Sequence, residues 1–489
     1  MSPEPPQSPP GPPRLLFRGG VWGALAPLFL FLAGVSALGL AGAPDETGFW
    51  PVLLGSLILG LLLARDREHY TEAVVDGMSQ RLVMVMVLAW VLAGVLGSLL
   101  RESGMVEALV WAAGAAGIHG GGYVAAAFAV AAVFATATGT SLGTLLVCIP
   151  LLYPVGPALG ADPGFLLGAI LGGATFGDNI SPISDTTIAS AGTQEADLAG
   201  VVRSRARYAL PAAAVALVGA VVFGGIPGFE AGVGGISTLG APPEVAPGDG
   251  SVAHSAIPFS GGAMLLVPVV VLILLLRRRG LVESMAYGII IAVILGLALG
   301  SWTPTDLMGI DEENFVATGL ILTGMQRAVG ISIFTLLLMG LVGAVQATGL
   351  VDRVVELART RSRSARSAEG WIFGTVSAAV LLTTHSVVAI LAVGGVARDT
   401  GKAFGIGAYR RANILDITVC TYPFLLPFFI PTILAAALTG GLDGVPRLSP
   451  WAAGLHNLHS WGLLVVVVFA ILTGWGREGG KNRGVDGVT

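Results

Sequence analysis

Apolar runs recur along the whole chain: Val21–Leu40, Phe49–Ala64, Leu82–Leu100, Val124–Pro154, Tyr208–Phe223, Gly261–Leu276, Ala286–Leu299, Ile331–Ala347, Trp371–Val396 and Trp461–Leu472. A helical membrane crossing needs about 20 apolar residues, so this pattern predicts an all-α polytopic membrane protein. Gly104 to Gly117 reads as an interfacial helix on the outer face. Polar residues interrupt two of the runs, at Thr136 to Ser141 (TATGTS) and at Thr384 to Ser386. Irregular backbone at membrane depth is tolerated only where protein or a water-filled cavity covers it. Each interruption therefore predicts the tip of a re-entrant hairpin.

The densest polar stretch is Gly172 to Thr187, GGATFGDNISPISDTT. Pro182 and the glycines predict a broken helix there, and the Arg410–Asp416 region predicts a second. Breaks of this kind free backbone carbonyls at the midplane, and ionisable groups at such depth are costly enough to mark function.

The interruptions repeat. Gly104-Met-Val-Glu107 matches Gly349-Leu-Val-Asp352, an offset of 349 − 104 = 245, and Thr138 and Ser141 stand opposite Thr383 and Ser386. GMSQR from Gly77 and GMQR from Gly324 also match. Ala174-x-x-x-Asp178 resembles Ala412-x-x-x-Asp416 at an offset of 238, which reads as a loop shortened by seven residues. The expected organisation is a disordered cytoplasmic tail (1–20), a first transmembrane repeat (21–226), an extracytoplasmic loop (227–260), a second repeat (261–475) and a cytoplasmic tail (476–489). Each repeat has about five transmembrane helices plus a re-entrant hairpin, and an odd number of crossings inverts the second repeat relative to the first.

Composition agrees. Of 489 residues 54% are hydrophobic and 11% charged, against roughly 25% charged in soluble domains. This excludes a soluble enzyme on a single anchor. The net charge is −4, and no Lys/Arg block points to nucleic acid. Cys148 and Cys420 lie in apolar segments, so neither a disulfide framework nor a thiolate metal cluster is expected. The first 13 residues are rich in Pro and Ser and read as disordered, and the first apolar run is too long for a signal peptide. Lys and Arg favour cytoplasmic loops. Arg14, Arg18, Arg65, Arg67, Arg203 to Arg207, Arg277 to Arg279 and Arg353 to Arg366 then place both termini inside, with the Lys- and Arg-free segment 225–260 outside. Arg101 and Arg327 are isolated exceptions.

If the two tips and two breaks converge, they bring together Thr138, Thr140, Ser141, Asp178, Asn179, Ser181 and Asp185 from the first repeat. The second contributes His385, Ser386, Asn413, Asp416 and Thr418. These are the expected cation- and proton-binding residues, with Asp178, Asn179 and Asp416 as ligands. Hard oxygens suit Na⁺ better than a soft metal. Blander roles compete: Asp185 at a helix cap, Asp416 paired with Arg410 or Arg411, His385 as a satisfied core histidine, and hydroxyls bonded to their own helix. Asn413 and Asp416, three apart, share a helix face. An intramembrane aspartyl protease would need glycine where Thr175 stands, and no HExxH motif occurs. A channel fits less well than alternating access, because broken helices within an inverted repeat suit a carrier.

GDNISPISDTT (Gly177 to Thr187), TGTSLGT (Thr138 to Thr144) and YRRANILDITVCTYPFLLP (Tyr409 to Pro427) resemble the NhaC-type sodium/proton antiporter family, within the larger ion-transporter superfamily of secondary carriers. The resemblance runs from about Val21 to Leu472. It implies Na⁺ exchanged for H⁺ across the cell inner membrane, without ATP or a cofactor, with the bilayer as surroundings and a homodimer as the expected assembly. Relatives in that family exchange organic acids, such as malate for lactate, so the alternative is antiport of a small organic acid or amino acid coupled to Na⁺ or H⁺.

Overall fold

The computed structural model describes residues 14–41, 47–225, 259–277, 279–312, 315–440 and 445–477. The first half contains α1 (Gly20–Leu40), α2 (Trp50–Leu63), α3 (Arg67–Met78), α4 (Arg81–Glu102), α5 (Met105–Ala115), α6 (Gly120–Thr138), α7 (Ser141–Leu152), α8 (Pro163–Ile180), α9 (Asp185–Thr193) and α10 (Leu198–Phe223). The second half continues with α11 (Phe259–Met264), α12 (Leu266–Leu276), α13 (Leu281–Leu299), α14 (Pro304–Leu307) and the antiparallel strands β1 (Gly309–Asp311) and β2 (Val316–Thr318). Then come α15 (Leu320–Arg327), α16 (Val329–Ala347), α17 (Leu350–Arg361), α18 (Ala365–Thr383), α19 (Ser386–Ala403), α20 (Ala408–Val419), α21 (Ile430–Ala437), α22 (Pro450–Leu455) and α23 (Leu458–Thr473). Six helices among the described residues are long and apolar enough to cross a membrane: Gly20–Leu38, Val83–Glu102, Gly120–Thr138, Leu198–Phe223, Leu281–Leu299 and Leu320–Ala347. The chain is an all-α, multi-pass membrane protein, with one small β-hairpin among the described residues.

The 245-residue offset reappears in the elements themselves. The starts of α5 and α17, α6 and α18, α7 and α19, α8 and α20, and α9 and α21 are each 245 residues apart. So are three pairs of left-handed residues, Gly104 with Gly349, Gly139 with Thr384, and Gly160 with Gly405. The two halves also pack reciprocally. Helix α3 lies on α16, and α15 lies on α4. A Cβ at Gly94 would overlap the Gly324 carbonyl, and one at Gly77 would overlap that of Met339, with Gly343 just behind it. Small residues let membrane helices approach backbone to backbone.

Three local expectations change. Tails 1–13 and 478–489 and most of the 227–260 loop lie outside the described residues. Residues 14–18, expected to be disordered, are ordered: Leu15 and Phe17 are buried, and the Leu15 amide donates to the Ala347 carbonyl. Helix α3 and the hairpin β1–β2 were not expected, because neither carries an apolar run. The shortening assigned to a loop lies instead within a helix. Helices α8 and α20 start on the same offset, but α8 has 18 residues and α20 has 12. The break after α20 spans 420–429, against 181–184 after α8, and α21 regains the register. Pro423 and Pro427 account for the early stop, since each lacks an amide donor and disfavours helix in the residue before it. Asp416 therefore stands opposite Leu171, two turns before Asp178, and is not its counterpart.

Candidate functional site

Two glycine contacts place the first broken helix. Added Cβ atoms at Gly173 and Gly177 would collide with the Phe128 and Ala132 carbonyls of α6. Helices α6 and α8 therefore lie flush, and the α6 tip reaches the end of α8. There Gly139 turns left-handed (φ 69°), and Thr140 caps α7 by accepting the Gly143 amide at 3.2 Å. That cap starts α7 at Ser141. Helix α8 opens on Asp162, which accepts the Phe165 amide, followed by Pro163. It ends at Ile180 because Ser181, before Pro182, is extended (φ −74°, ψ 127°).

Asp178 sits at this junction, 7% exposed. The Ser141 hydroxyl donates to its Oδ2 at 2.9 Å, and Ser184, the residue before α9, adds its electrostatic influence while its hydroxyl pairs with Thr186 Oγ1 at 3.0 Å. The carboxylate thus faces the starts of two helices, where backbone dipoles favour negative charge. Beside it Asn179 is fully buried, and neither side-chain polar atom has a partner. An unsatisfied buried polar group costs about 1–3 kcal/mol, so this unpartnered carboxamide beside a carboxylate makes the junction the candidate site. Ser181 ties tip to break by donating to the Thr136 carbonyl at 2.8 Å.

Asp416 is held quite differently. Its Oδ2 lies 2.8 Å from Arg205 Nη1, with both side chains wholly buried. Ser190 donates to the same oxygen at 3.1 Å, while Thr186 and Cys420 reach Oδ1 at 3.5 Å. Arg205 also donates to the Asn179 carbonyl (2.8 Å), Thr187 Oγ1 (2.7 Å), Ser190 Oγ (3.3 Å) and, from Nε, Asn413 Oδ1 (3.2 Å). It thereby joins α8, α9 and α20 through one planar group. The expected partners of Asp416 are engaged elsewhere. Arg410 forks onto Glu369 with two bonds of 3.1 Å, and Arg411 bonds Gln194 and the Ile406 carbonyl.

The other sequence candidates occupy supporting places. Thr138 and Thr418 donate to carbonyls of their own helices, Phe134 and Ile414. His385 precedes α19 as Thr140 precedes α7, its Nδ1 accepting from the Val388 amide at 3.5 Å. Ser386 donates to the Val419 carbonyl at 3.2 Å, which brings the second tip against α20. Asp185 is exposed in the first turn of α9. Carbonyls of the second break are taken up by the protein: Cys420 by Ser460, Phe424 by Asn457, Leu426 by Thr432. The residue missed from the sequence is Arg205. It hid in the basic RSRAR segment, yet it falls on the inward stripe of Val201, Tyr208, Ala209 and Ala212, while Arg203 and Arg207 are exposed. Helical periodicity would have found it.

Residues 27–225 match the model of the Na⁺/H⁺ antiporter family. A stretch of 160 residues is 26% identical to the malate-2H(+)/Na(+)-lactate antiporter of Bacillus subtilis (strain 168), covering 32% of this chain and 33% of that relative. The chain thus matches about a third of the length of this curated relative. The motif resemblance is borne out over residues 27–225, which include TGTSLGT and GDNISPISDTT. The match points to a transporter rather than an enzyme.

Proposed function

We propose that the protein is a secondary antiporter that exchanges Na⁺ for H⁺ by alternating access, with both ions competing for Asp178. The observation that carries this reading is the partnerless, fully buried Asn179 beside a carboxylate held by the Ser141 hydroxyl. Asp178, Asn179, Ser141 and Ser184 supply hard oxygens that match Na⁺. A charged carboxylate so deep is costly to move across a membrane. A proton removes the charge, and so does a bound Na⁺. Either occupant therefore permits the conformational change, and the empty site does not.

The reciprocal packing of α3 on α16 and α15 on α4 is the contact pattern of two units related by a two-fold axis. With the Lys/Arg asymmetry it supports inverted repeats in the cytoplasmic membrane, both termini inside. The malate and lactate exchange named for the Bacillus relative favours a second reading, in which a small organic acid is also carried. Both readings meet one assay in proteoliposomes with an imposed pH gradient, comparing Na⁺, Li⁺, K⁺ and small carboxylates. Na⁺ is expected to move protons without any carboxylate present. Asp178→Asn is expected to abolish that movement and keep the fold. Near wild-type exchange in that variant would remove Asp178 from the mechanism.

A further inference from the structure

We infer that Arg205 is a built-in counter-cation that withdraws Asp416 from exchange, so that Asp178 alone changes occupant and each cycle moves one Na⁺ against one H⁺. The inference rests on the reading of Asp178 above and adds its stoichiometry. Two buried carboxylates lie at the junction, and if both took a proton on one crossing and shared one Na⁺ on the other, two H⁺ would move for each Na⁺. Asp416, however, already has a counter-ion. Arg205 Nη1 lies 2.8 Å from its Oδ2, Ser190 donates to the same oxygen, and Thr186 and Cys420 approach Oδ1 at 3.5 Å. The guanidinium occupies the place and supplies the charge that a bound cation would.

Arg205 is equally committed, with contacts on Nε, Nη1 and Nη2. The pair is electrically neutral and buried on both sides. The charged groups that face Asp178 are Asp416, already neutralised, and Asp185, exposed at the start of α9. Of the two buried carboxylates, Asp178 therefore holds the charge that is left for an arriving ion to cancel. With Na⁺ in one direction and H⁺ in the other, both crossings are neutral and the cycle is electroneutral. Arg205 is a positioning residue, acting through Asp416 and the Asn179 carbonyl.

The test is the null point of exchange in proteoliposomes, the Na⁺ gradient that just balances an imposed pH gradient, read with and without a K⁺–valinomycin potential. The wild type is expected to balance at equal Na⁺ and H⁺ ratios, unmoved by the potential. Arg205→Gln frees Asp416 to take a second proton on the crossing opposite to a single Na⁺ shared by the two carboxylates, so two H⁺ move for each Na⁺ and the null point is expected to become potential-dependent, by about fiftyfold in Na⁺ ratio for one net charge at roughly 100 mV. The double variant Arg205→Gln with Asp416→Asn removes both charges and is expected to restore a potential-independent null point, whatever its rate. It carries the test if the single variant does not fold. A wild-type or double-variant null point that follows the potential overturns the inference. So does an Arg205→Gln null point that ignores it. The Asp178→Asn result is separate and judges only the underlying reading.

Discussion

Gly139 and Thr384, 245 residues apart, hold the same left-handed turn between paired helices, with φ of 69° and 50°. Glycine adopts that conformation freely, and a β-branched residue does not. Thr384 also buries a hydroxyl with no partner. Thr384→Gly is therefore expected to stabilise the fold by about 1 kcal/mol. Gly139→Thr should cost more, because a Cβ there would also come within 2.8 Å of Ile183. Thermal unfolding in detergent checks both, and a lower midpoint for Thr384→Gly would contradict the strain argument.

Ser141 and Thr138 lie at the same tip but have different acceptors. Ser141 donates to Asp178, whereas Thr138 donates to a carbonyl of its own helix. A hydrogen bond to a charged group contributes about 1.5–3 kcal/mol. Ser141→Ala should thus weaken apparent Na⁺ affinity by about tenfold or more, while Thr138→Val should leave it nearly unchanged. The Na⁺ dependence of proton flux separates them, and equal effects would show that the tip does not act through Asp178.

Glu369 is fully buried and receives forked bonds from both Arg410 and Arg477. Removing one partner from a buried ion pair costs about 3–5 kcal/mol. Glu369→Gln is expected to lower the unfolding midpoint strongly. An unchanged midpoint would mean that the network contributes nothing to stability.

Glu195, between α9 and α10, contacts Lys402 at 2.6 Å and Arg398 at 3.2 Å on α19. The hydrogen bond from Lys402 comes first, and with the nearby cations it holds this carboxyl below its usual range. A depressed carboxylate contributes above its unfolded value and is lost as pH falls through the folded one. The contact should persist at neutral and alkaline pH and release only well below about pH 4.3. Spin labels at Ala196 and Ala403 would report it, and separation near neutral pH would count against it.

Single cysteines at Phe315, which is 92% exposed in the β1–β2 hairpin, and at Ser364, exposed before α18, test orientation. The native Cys148 and Cys420 are buried and give little background. Impermeant reagent is expected to reach the two positions from opposite faces. Labelling of both from one side would exclude inverted repeats.

Most helices were legible because apolar length and the Gly104/Gly349 spacing survive in the residue order. The tips were legible too, since polar residues inside an apolar run are costly unless they turn the chain or line a site. Asp416 was misread as the counterpart of Asp178 because Ala-x-x-x-Asp matches by composition, whereas Pro423 and Pro427 decide where α20 stops. Arg205 was misread because sign and clustering suggested a surface, and only its place on the α10 stripe shows otherwise. Asn179 stood out in sequence as one polar residue among several. Its lack of partners is a property of packing, which residue order does not carry.

The paired glycine crossings at Gly94–Gly324 and Gly77–Gly343 set backbone against backbone with no side chains between. Ordinary helix contacts interlock as ridges in grooves, so turning one helix on another forces rotamers to jump. Bare crossings have no ridges to climb. Two such points, exchanged between the halves, set the separation of the halves at the shortest distance that backbone allows. Even an alanine at either point would meet a carbonyl of the facing half and push the two apart.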